Sequence, residues 1–316
     1  MQVVQLSYPN QITSEQLTGP YSLALGFFDG VHRGHQAVIN KAKEKAEETG
    51  TKLAVMTFDP HPSIVLGQSK EKVFYITPLQ QKIAILEESG VDTLFVVRFT
   101  SDFAQLSPEE FVQLFIKDLG VQHVTAGFDY TFGRKGSGTM TDMPALCGED
   151  ITVQVVEKQI EDDEKISSTR IRTLLKEGNL KEVHALLGRP YRTPGVVVHG
   201  DKRGRTIGFP TANVQADEGS FIPANGVYVV KVRVQQEWFI GVCNIGYKPT
   251  FKNPNEKNLT IEVHIVDFDK NIYGEAVAID WYDWVRPEQK FDGIEALVAQ
   301  LTKDKQAAID FFKEAE

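Results

Sequence analysis

The pattern of apolar residues along this chain changes once, near the segment Gly188-Arg189-Pro190. Before that point, short apolar runs alternate with segments in which apolar residues recur every three to four positions, which predicts strands alternating with helices. The runs are rich in β-branched and aromatic residues, as expected of strands covered on both faces. They occupy residues 22–27, 52–58, 92–99, 123–127 and 152–157. The alternation predicts an α/β domain built on a parallel sheet with right-handed crossovers.

Start and stop signals bound several of the predicted helices. One predicted helix has Thr77 as its N-cap and Pro78 as its first residue, and it ends at Gly90. The run Ser107-Pro108-Glu109-Glu110 is a capping box with proline in the first turn, and Gly120 ends that helix. Two further short helices would complete the domain, at 168–176 and 179–187.

After Gly188, apolar runs follow one another with only short turns between them. This rhythm predicts an antiparallel sheet or small β-barrel. The predicted strands occupy residues 226–234, 237–245, 259–268 and 275–284. A helical tail follows in two segments, 293–301 and 304–313, for which Asp292 and Asp304 are possible caps. A chain of 316 residues exceeds one average domain of roughly 100–150 residues. We therefore expect an α/β domain over residues 1–186 and an antiparallel β-barrel with a helical tail over 187–316.

Composition and charge exclude several classes of protein. A formal net charge of −9 argues against nucleic-acid binding. No segment approaches the roughly 18 consecutive apolar residues of a membrane span, and residues 1–10 lack the pattern of a secretory signal. Cys147 and Cys243 match no metal or redox spacing, as expected of reduced thiols in a cytoplasmic protein. The segment 189–205 nevertheless carries five Lys or Arg and one acidic residue. Such a segment is usually a solvated loop, but the glycines among its cations favour a small phosphorylated ligand.

The segment from Gly26 to His35, Gly-Phe-Phe-Asp-Gly-Val-His-Arg-Gly-His, joins the first predicted strand to the first helix. At this point of a parallel sheet, free amides and the helix dipole favour an anion. The glycines let the backbone approach phosphates closely, and His32 and His35 can donate hydrogen bonds as charge develops there. Two alternatives remain: the histidines could bind a metal, or merely fill a turn.

Three further motifs accompany this His-x-Gly-His segment. They are Thr57-Phe58-Asp59-Pro60-His61-Pro62, Gly127-Phe128-Asp129-Tyr130-Thr131-Phe132-Gly133 and Ile166-Ser167-Ser168-Thr169-Arg170-Ile171-Arg172. In this order they resemble the bacterial bifunctional riboflavin kinase/FAD synthetases, and the resemblance extends over essentially the whole chain. It implies a Rossmann-like nucleotidyltransferase fold for the first domain.

The resemblance also implies roles for individual residues of the first domain. The residues expected to bind ATP for adenylyl transfer are Gly26, Phe27, Asp29, Gly34, Asp129, Ser168, Thr169 and Arg172. Hydroxyls, amides and a guanidinium at the start of a helix suit the phosphates that leave as pyrophosphate. Flavin contacts are expected from Phe58, Pro60 and, in the second domain, Phe291. Asp129 and the Asp59-Pro60 pair could instead serve only as turn residues.

A second glycine-rich segment, 195–213, lacks the Gly-Lys-Ser/Thr ending of a Walker loop. Its glycines and cations form the kind of loop that wraps a polyphosphate. They are Gly200, Lys202, Gly204, Arg205 and Gly208. Thr211 and Asn213 offer oxygen ligands that suit Mg²⁺. The tetrapeptide Pro-Thr-Ala-Asn at 210–213 resembles the riboflavin kinase signature, although Lys248 stands where that family commonly has arginine.

Glu262 is the residue that this resemblance implies as the catalytic base of the kinase. Alternation along residues 259–266 puts Glu262 on one strand face with Thr260 and His264, which is otherwise the pattern of a solvated face. Trp281 and Trp284 could stack on the flavin, but aromatic residues of this kind are also common in cores.

The resemblance implies a cytoplasmic enzyme that phosphorylates riboflavin to FMN and adenylylates FMN to FAD, with ATP as co-substrate and Mg²⁺ as cofactor. No serine, cysteine or lysine of these motifs is arranged as a covalent nucleophile, so the FMN phosphate would attack the α-phosphorus directly. The expected partners are small molecules (riboflavin, FMN, FAD and ATP), with no nucleic acid and no membrane, and the oligomeric state stays open. The alternatives are a nucleotidyltransferase for another acceptor and a non-enzymatic flavin binder.

Overall fold

The structure is a computed structural model that describes residues 1–9, 17–67, 72–162, 164–200, 203–249 and 257–314. The chain forms two compact units, Met1–Ser168 and Thr169–Glu316. None of the helices in these ranges is long and apolar enough to cross a membrane.

The first unit contains a six-stranded sheet in which all neighbouring strands are parallel, as the strand–helix alternation predicts. Its strands are β1 (Gln2–Leu6), β2 (Tyr21–Leu25), β3 (Lys52–Asp59), β4 (Thr93–Arg98), β5 (Val121–Gly127) and β8 (Thr152–Val156), in the order β1-β4-β3-β2-β5-β8. The edge strand β1 has no counterpart among the sequence predictions, because its half-exposed, glutamine-flanked sequence lacks the apolar run of the central strands. Two small hairpins are formed by β6 (Thr131–Phe132) with β7 (Gly138–Thr139) and by β9 (Ile160–Glu161) with β10 (Glu164–Lys165).

Among the described residues of the first unit, the α-helices are α1 (Arg33–Thr49), α2 (Pro62–Val65), α3 (Leu79–Glu88), α4 (Pro108–Val112) and α5 (Met143–Cys147). The capping box at the start of α4 is confirmed, because Ser107 and Glu110 each accept the other's backbone N–H. The predicted start of α3 is wrong by one residue. Pro78 is the N-cap, and the buried Thr77 directs its backbone N–H to the carboxylate of Asp29 instead of capping the helix.

The second unit is a closed antiparallel barrel, which confirms the predicted class. Its strands are β11 (Tyr191–Val198), β12 (Ala212–Ala216), β13 (Gly226–Val234), β14 (Glu237–Pro249), β15 (Lys257–Ile265) and β16 (Ala276–Arg286), in the order β11-β12-β15-β14-β13-β16. The sequence does not predict β11 and β12, since the glycine-rich segment that joins them obscures their apolar pattern. β14 extends to Pro249, four residues beyond the predicted end of this strand at residue 245.

The α-helices described alongside the barrel are α6 (Ser168–Glu177), α7 (Leu180–Leu187) and α8 (Ile294–Glu314). The sequence predicts α6 and α7 for the first domain, whereas the compact units divide at Ser168. The physical reason is that α7 packs on β11 and β16, where His184 Nε2 lies 2.6 Å from the carbonyl of Trp281. The extent of each functional module stays a prediction.

The helical tail is one continuous helix, so the predicted break at residue 304 is wrong. Asp304 lies inside α8 with 1% exposure and forms a two-pronged ion pair with Arg286. Its carboxylate is therefore used to attach α8 to the end of β16, not to cap a second helix. Nearby, Ala308 and Phe312 of α8 pack against Val227 and Val229 of the barrel.

Candidate active sites

The loop between β2 and α1 has a constrained backbone. Gly30 has a φ of 87°, and two residues with side chains, Phe28 and Val31, also have positive φ values of 55° and 39°. Such conformations are costly and persist only where the surrounding structure enforces them. Both side chains are fully buried. Packing of Phe28 and Val31 in the core therefore fixes the conformation of this loop, which leads directly into residues 32–35 at the start of α1.

His32 and His35 form a stacked pair at the N-terminus of α1. Nδ1 of His32, the N-cap, accepts a hydrogen bond from the backbone N–H of His35 at 3.2 Å. The ring centroids lie 3.5 Å apart, with 17° between the planes. A Cβ at Gly34 would lie 3.2 Å from the His32 ring, so glycine permits this packing. Because Nδ1 of His32 is an acceptor, neutral His32 carries its proton on Nε2, close to the helix end that favours an anion.

Asp29 stabilises the same loop through hydrogen bonds to residues outside it. Its carboxylate accepts the backbone N–H of Ile76 at 3.2 Å and of Thr77 at 3.0 Å. Its carbonyl oxygen accepts a hydrogen bond from the hydroxyl of Ser168 at 2.9 Å, so the structure brings one predicted phosphate ligand to the loop. Thr169 and Arg172 follow in α6, within the second unit. The contacts of these four residues with ATP stay predictions.

Lys82 is a residue of this region that the sequence predictions omit. It lies in the first turn of α3 with 3% exposure, and its Nζ donates to the carbonyl of Phe27 at 2.7 Å and to the hydroxyl of Thr57 at 3.0 Å. Burial lowers the pKa of Lys82 to about 8, although the charges of Asp29 and Asp59 oppose the shift. One signal was present in the sequence: Lys82 stands four positions before the buried Leu86, on the apolar face of α3.

Three further predictions in the first unit concern Phe58, Pro60 and Asp129. The Phe58 ring is 8% exposed and lies in the core, with its centroid 5.9 Å from that of Phe103. Pro60 follows the end of β3 and is half-buried. Asp129 is exposed after β5 and forms an ion pair with Lys165. A ligand that binds Asp129 would therefore compete with this ion pair, and the flavin and ATP contacts of the three residues stay predictions.

The barrel places two predicted groups of the kinase side by side. Asn213 of β12 pairs with Glu262 of β15, and Glu262 pairs in turn with Asn244 of β14. Directly paired residues present their side chains on the same face of a sheet, so the three side chains form one row. The predicted metal ligand and the predicted base are thus neighbours, although 49 positions separate them in the sequence.

The glycine-rich loop packs closely against this row. A Cβ at Gly200 would overlap the side-chain amide of Asn213, and one at Gly204 would overlap the carbonyl oxygen of Phe209. Gly208 has a φ of 81°, a conformation that glycine adopts readily. Arg205 is exposed and Thr211 is half-buried, whereas Lys202 lies outside the described residues.

Several side chains around the row were not predicted or were left open. The amide of Asn244 donates to Glu288 Oε1 at 3.0 Å, and Gly246 leaves room for that carboxylate. His264 Nδ1 lies 2.9 Å from the carbonyl of Pro210, so this histidine contacts the Pro-Thr-Ala-Asn segment. Burial raises the pKa of the Cys243 thiol, and the nearby charge of Glu262 adds to the shift. Glu288 follows β16, so only the folded chain shows that it reaches the row.

Of the aromatic residues considered for flavin binding, Trp281 belongs to the core. It is fully buried and its indole N–H donates to Thr193 at 2.8 Å. Trp284 is 41% exposed, and the Phe291 ring lies 5.8 Å from the guanidinium of Arg286. In the described ranges, no group of three His, Cys, Asp or Glu side chains is arranged to hold a metal ion. The flavin contact of Phe291 and the metal ligands Thr211 and Asn213 stay predictions.

A parallel sheet whose first loop presents stacked histidines, followed by an antiparallel barrel with a glycine-rich loop, is typical of a two-domain protein with a phosphate-binding loop in each domain. Two family models match the corresponding ranges: FAD synthetase over residues 14–170 and riboflavin kinase over residues 187–312. The chain belongs to the family of bifunctional riboflavin kinase/FMN adenylyltransferases.

The relatives that carry this name match along nearly the whole chain. The protein of Listeria monocytogenes is 50% identical over 100% of both chains, and that of Bacillus subtilis is 49% identical over 99% of this chain and 98% of its own. The Escherichia coli K12 protein is 36% identical over 92% of each. A crystal structure described as a macrolide-efflux protein from Streptococcus pneumoniae is 35% identical, with a TM-score of 0.88 over 98% of this chain and 99% of that one. That likeness shows a fold shared over nearly the full length.

Proposed function

We propose that this protein converts riboflavin to FMN in its second unit and FMN to FAD in its first, using ATP in both reactions. The observation that carries the proposal is the pairing of Asn213 and Glu262 on adjacent barrel strands, because it brings the proposed metal ligand and the proposed base, from two separate motifs, side by side. The stacked pair of His32 and His35 at the start of α1 supports the second reaction.

In the adenylyl transfer, an oxygen of the FMN phosphate attacks the α-phosphorus of ATP, and the bond to the β-phosphate oxygen breaks to release pyrophosphate. His32 and His35 donate hydrogen bonds to the phosphate oxygens on which charge develops, together with the free amides of α1. Ser168, Thr169 and Arg172 bind the departing phosphates. These residues act by positioning and by charge stabilisation, without a covalent intermediate on the protein.

In the kinase reaction, Glu262 accepts the proton of the riboflavin hydroxyl as that oxygen attacks the γ-phosphorus of ATP, and ADP leaves. The loop at Gly200, Gly204 and Gly208 surrounds the phosphates. The donor set fits Mg²⁺, because Thr211 and Asn213 carry uncharged oxygens and Asn213 is paired with Glu262 on the neighbouring strand. When bound, Mg²⁺ neutralises phosphate charge, and Thr211 and Asn213 are the residues that would hold it.

The partners that we propose are small molecules, namely riboflavin, FMN, FAD and ATP. The net charge of −9 supports the exclusion of nucleic acid. A cytoplasmic location is supported by two free, buried cysteines that have no mutual pairing.

Incubation of the full chain with riboflavin, ATP and Mg²⁺ tests the proposal. Chromatography should show FMN first and then FAD. Absence of both products would refute the proposal and favour a flavin binder without activity. FMN without FAD would restrict the function to the kinase, and transfer of adenylyl to another phosphate acceptor would identify a different nucleotidyltransferase.

A further inference from the structure

Lys82 is a buried positive charge whose hydrogen-bond partners, among the described residues, are neutral groups. Its ammonium donates to the carbonyl of Phe27 and the hydroxyl of Thr57. In the described part of the chain it forms no ion pair with an Asp or Glu oxygen within 4.0 Å. Burial of an ammonium is costly, and the N-terminus of a helix is unfavourable for a cation. Since a neutral side chain of similar volume would avoid both costs, the charge itself requires an explanation.

The location of the ammonium supplies one. Phe27 directly follows β2, and Thr57 lies near the end of β3, so the charge lies at the carboxyl edge of the parallel sheet. Ligands of open α/β sheets bind outside this edge. The Phe27 carbonyl accepts both the Lys82 ammonium and, at 2.7 Å, the Thr57 hydroxyl. Five residues further along the same loop, His32 is the N-cap of α1.

Lys82 also supports a second loop through the Phe27 ring. Its Nζ lies 4.5 Å from the centroid of that ring, and the ring meets His61 edge-on at 4.4 Å. The backbone N–H of His61 donates to the hydroxyl of Tyr75 at 3.1 Å. His61 belongs to the segment after β3 that also contains Pro60, a predicted flavin contact. One ammonium therefore connects the loop expected to bind ATP with the loop expected to bind flavin.

We propose that Lys82 is a positioning residue for adenylyl transfer, whose ammonium holds the Phe27 carbonyl and ring and adds positive charge beneath the reacting phosphates. The inference rests on the proposed function of the first unit. Negative charge moves onto the departing pyrophosphate in the transition state, and a fixed cation in a water-poor site stabilises that change without reorganisation. Lys82 acts from the interior of the unit, both through Phe27 and through its charge.

The ionisation of Lys82 gives this role a distinct pH dependence. Because burial lowers its pKa to about 8, the ammonium loses its proton as the pH rises through 8. The groups that face it are Asp29 and Asp59, whose charges oppose the shift, with Tyr75 and His61 around the Phe27 ring. The stability of the folded protein should change in the opposite direction to the rate: it should increase as the pH rises and Lys82 loses its proton. The folded pKa lies below the unfolded value of 10.5, so the charged lysine costs stability below pH 8, and the cost fades between pH 8 and 10.5.

The experiment replaces the charge in the full chain by Lys82→Met, which keeps most of the volume. We expect kcat for FAD formation from FMN to fall by roughly 10- to 100-fold, the scale of a misplaced reacting group. Riboflavin phosphorylation by the same sample should not change, and the melting temperature should not decrease. The wild-type rate of FAD formation should decline above about pH 8, and this decline should be absent in the variant.

Two further variants make the result specific. Lys43→Met is the matched control: Lys43 donates to the Ser89 carbonyl at 3.4 Å, at the other end of α3, and should keep both activities. Lys82→Arg retains a charge that does not titrate, so it should restore much of the rate and abolish the decline above pH 8.

Three outcomes would overturn the inference. They are a near-normal FAD rate in Lys82→Met, a loss of rate accompanied by a lower melting temperature, and a folded Lys82→Arg as inactive as Lys82→Met. If wild-type protein makes no FAD from FMN, the proposed function of the first unit fails and the inference fails with it.

Discussion

Glu262→Gln isolates the proton-accepting role of the carboxylate in the kinase unit. The side chain lies in a row with Asn213 and Asn244 on paired strands, and glutamine has nearly the same size and similar hydrogen-bonding capacity. The barrel should therefore fold normally, and the loop at Gly200 should still pack against Asn213. What disappears is the group that accepts the riboflavin proton. General-base catalysis contributes about 10²- to 10⁴-fold, which corresponds to about 3–5 kcal/mol in the activation barrier.

The assay measures FMN formation from riboflavin and FAD formation from supplied FMN in the same preparation. We expect the first rate to fall by roughly 10²- to 10⁴-fold and the second to stay at the wild-type level. ATP binding to the kinase unit should change little, because Thr211 and the glycine-rich loop are intact. A near-normal kinase rate would refute the assignment of Glu262 as the base. His264, on the same face and in contact with the Pro210 carbonyl, would then be the next candidate.

Three further predictions follow from the structure. His32→Ala removes one donor of the stacked pair and should lower FAD formation by about 10²- to 10³-fold while riboflavin phosphorylation persists; a parallel loss of both rates in folded protein would contradict the two-site model. Asp304→Ala removes the carboxylate partner of the Arg286 guanidinium. The free energy of unfolding of the second unit should fall by about 3–5 kcal/mol in a denaturant titration, and no change would show that the pair does not attach α8. A fragment of residues 169–316 should phosphorylate riboflavin without forming FAD. A fragment of residues 187–316 lacks α6 and nearly all of α7 and should melt at a lower temperature; equal melting temperatures would contradict the packing of α7 on the barrel.

The two-domain architecture could be predicted from the sequence because strands and helix starts are specified by signals within a few neighbouring residues. The apolar runs of the first half correspond to β2, β3, β4, β5 and β8, and the capping box at Ser107 begins α4 as predicted. Strand–helix alternation requires crossovers and therefore a parallel sheet, whereas strands joined by short turns pair antiparallel. The same locality explains the errors at Thr77 and Asp304. A capping residue type is recognisable in sequence, but its side chain or amide can find a better partner elsewhere in the folded chain.

The sequence by itself therefore determined the class of each half and the motifs that each half contains. Only the tertiary structure decided which groups of different motifs meet. The pairing of Asn213 with Glu262 depends on the register between β12 and β15, and the contact of Lys82 with Phe27 depends on how α3 packs on the sheet. Neither relation leaves a periodic signal, because hydrophobic patterns specify the face of an element but not its distant neighbours. Lys82 shows this most clearly. In the sequence it only interrupts the apolar stripe of α3, whereas in the folded chain packing holds its charge at the carboxyl edge of the sheet.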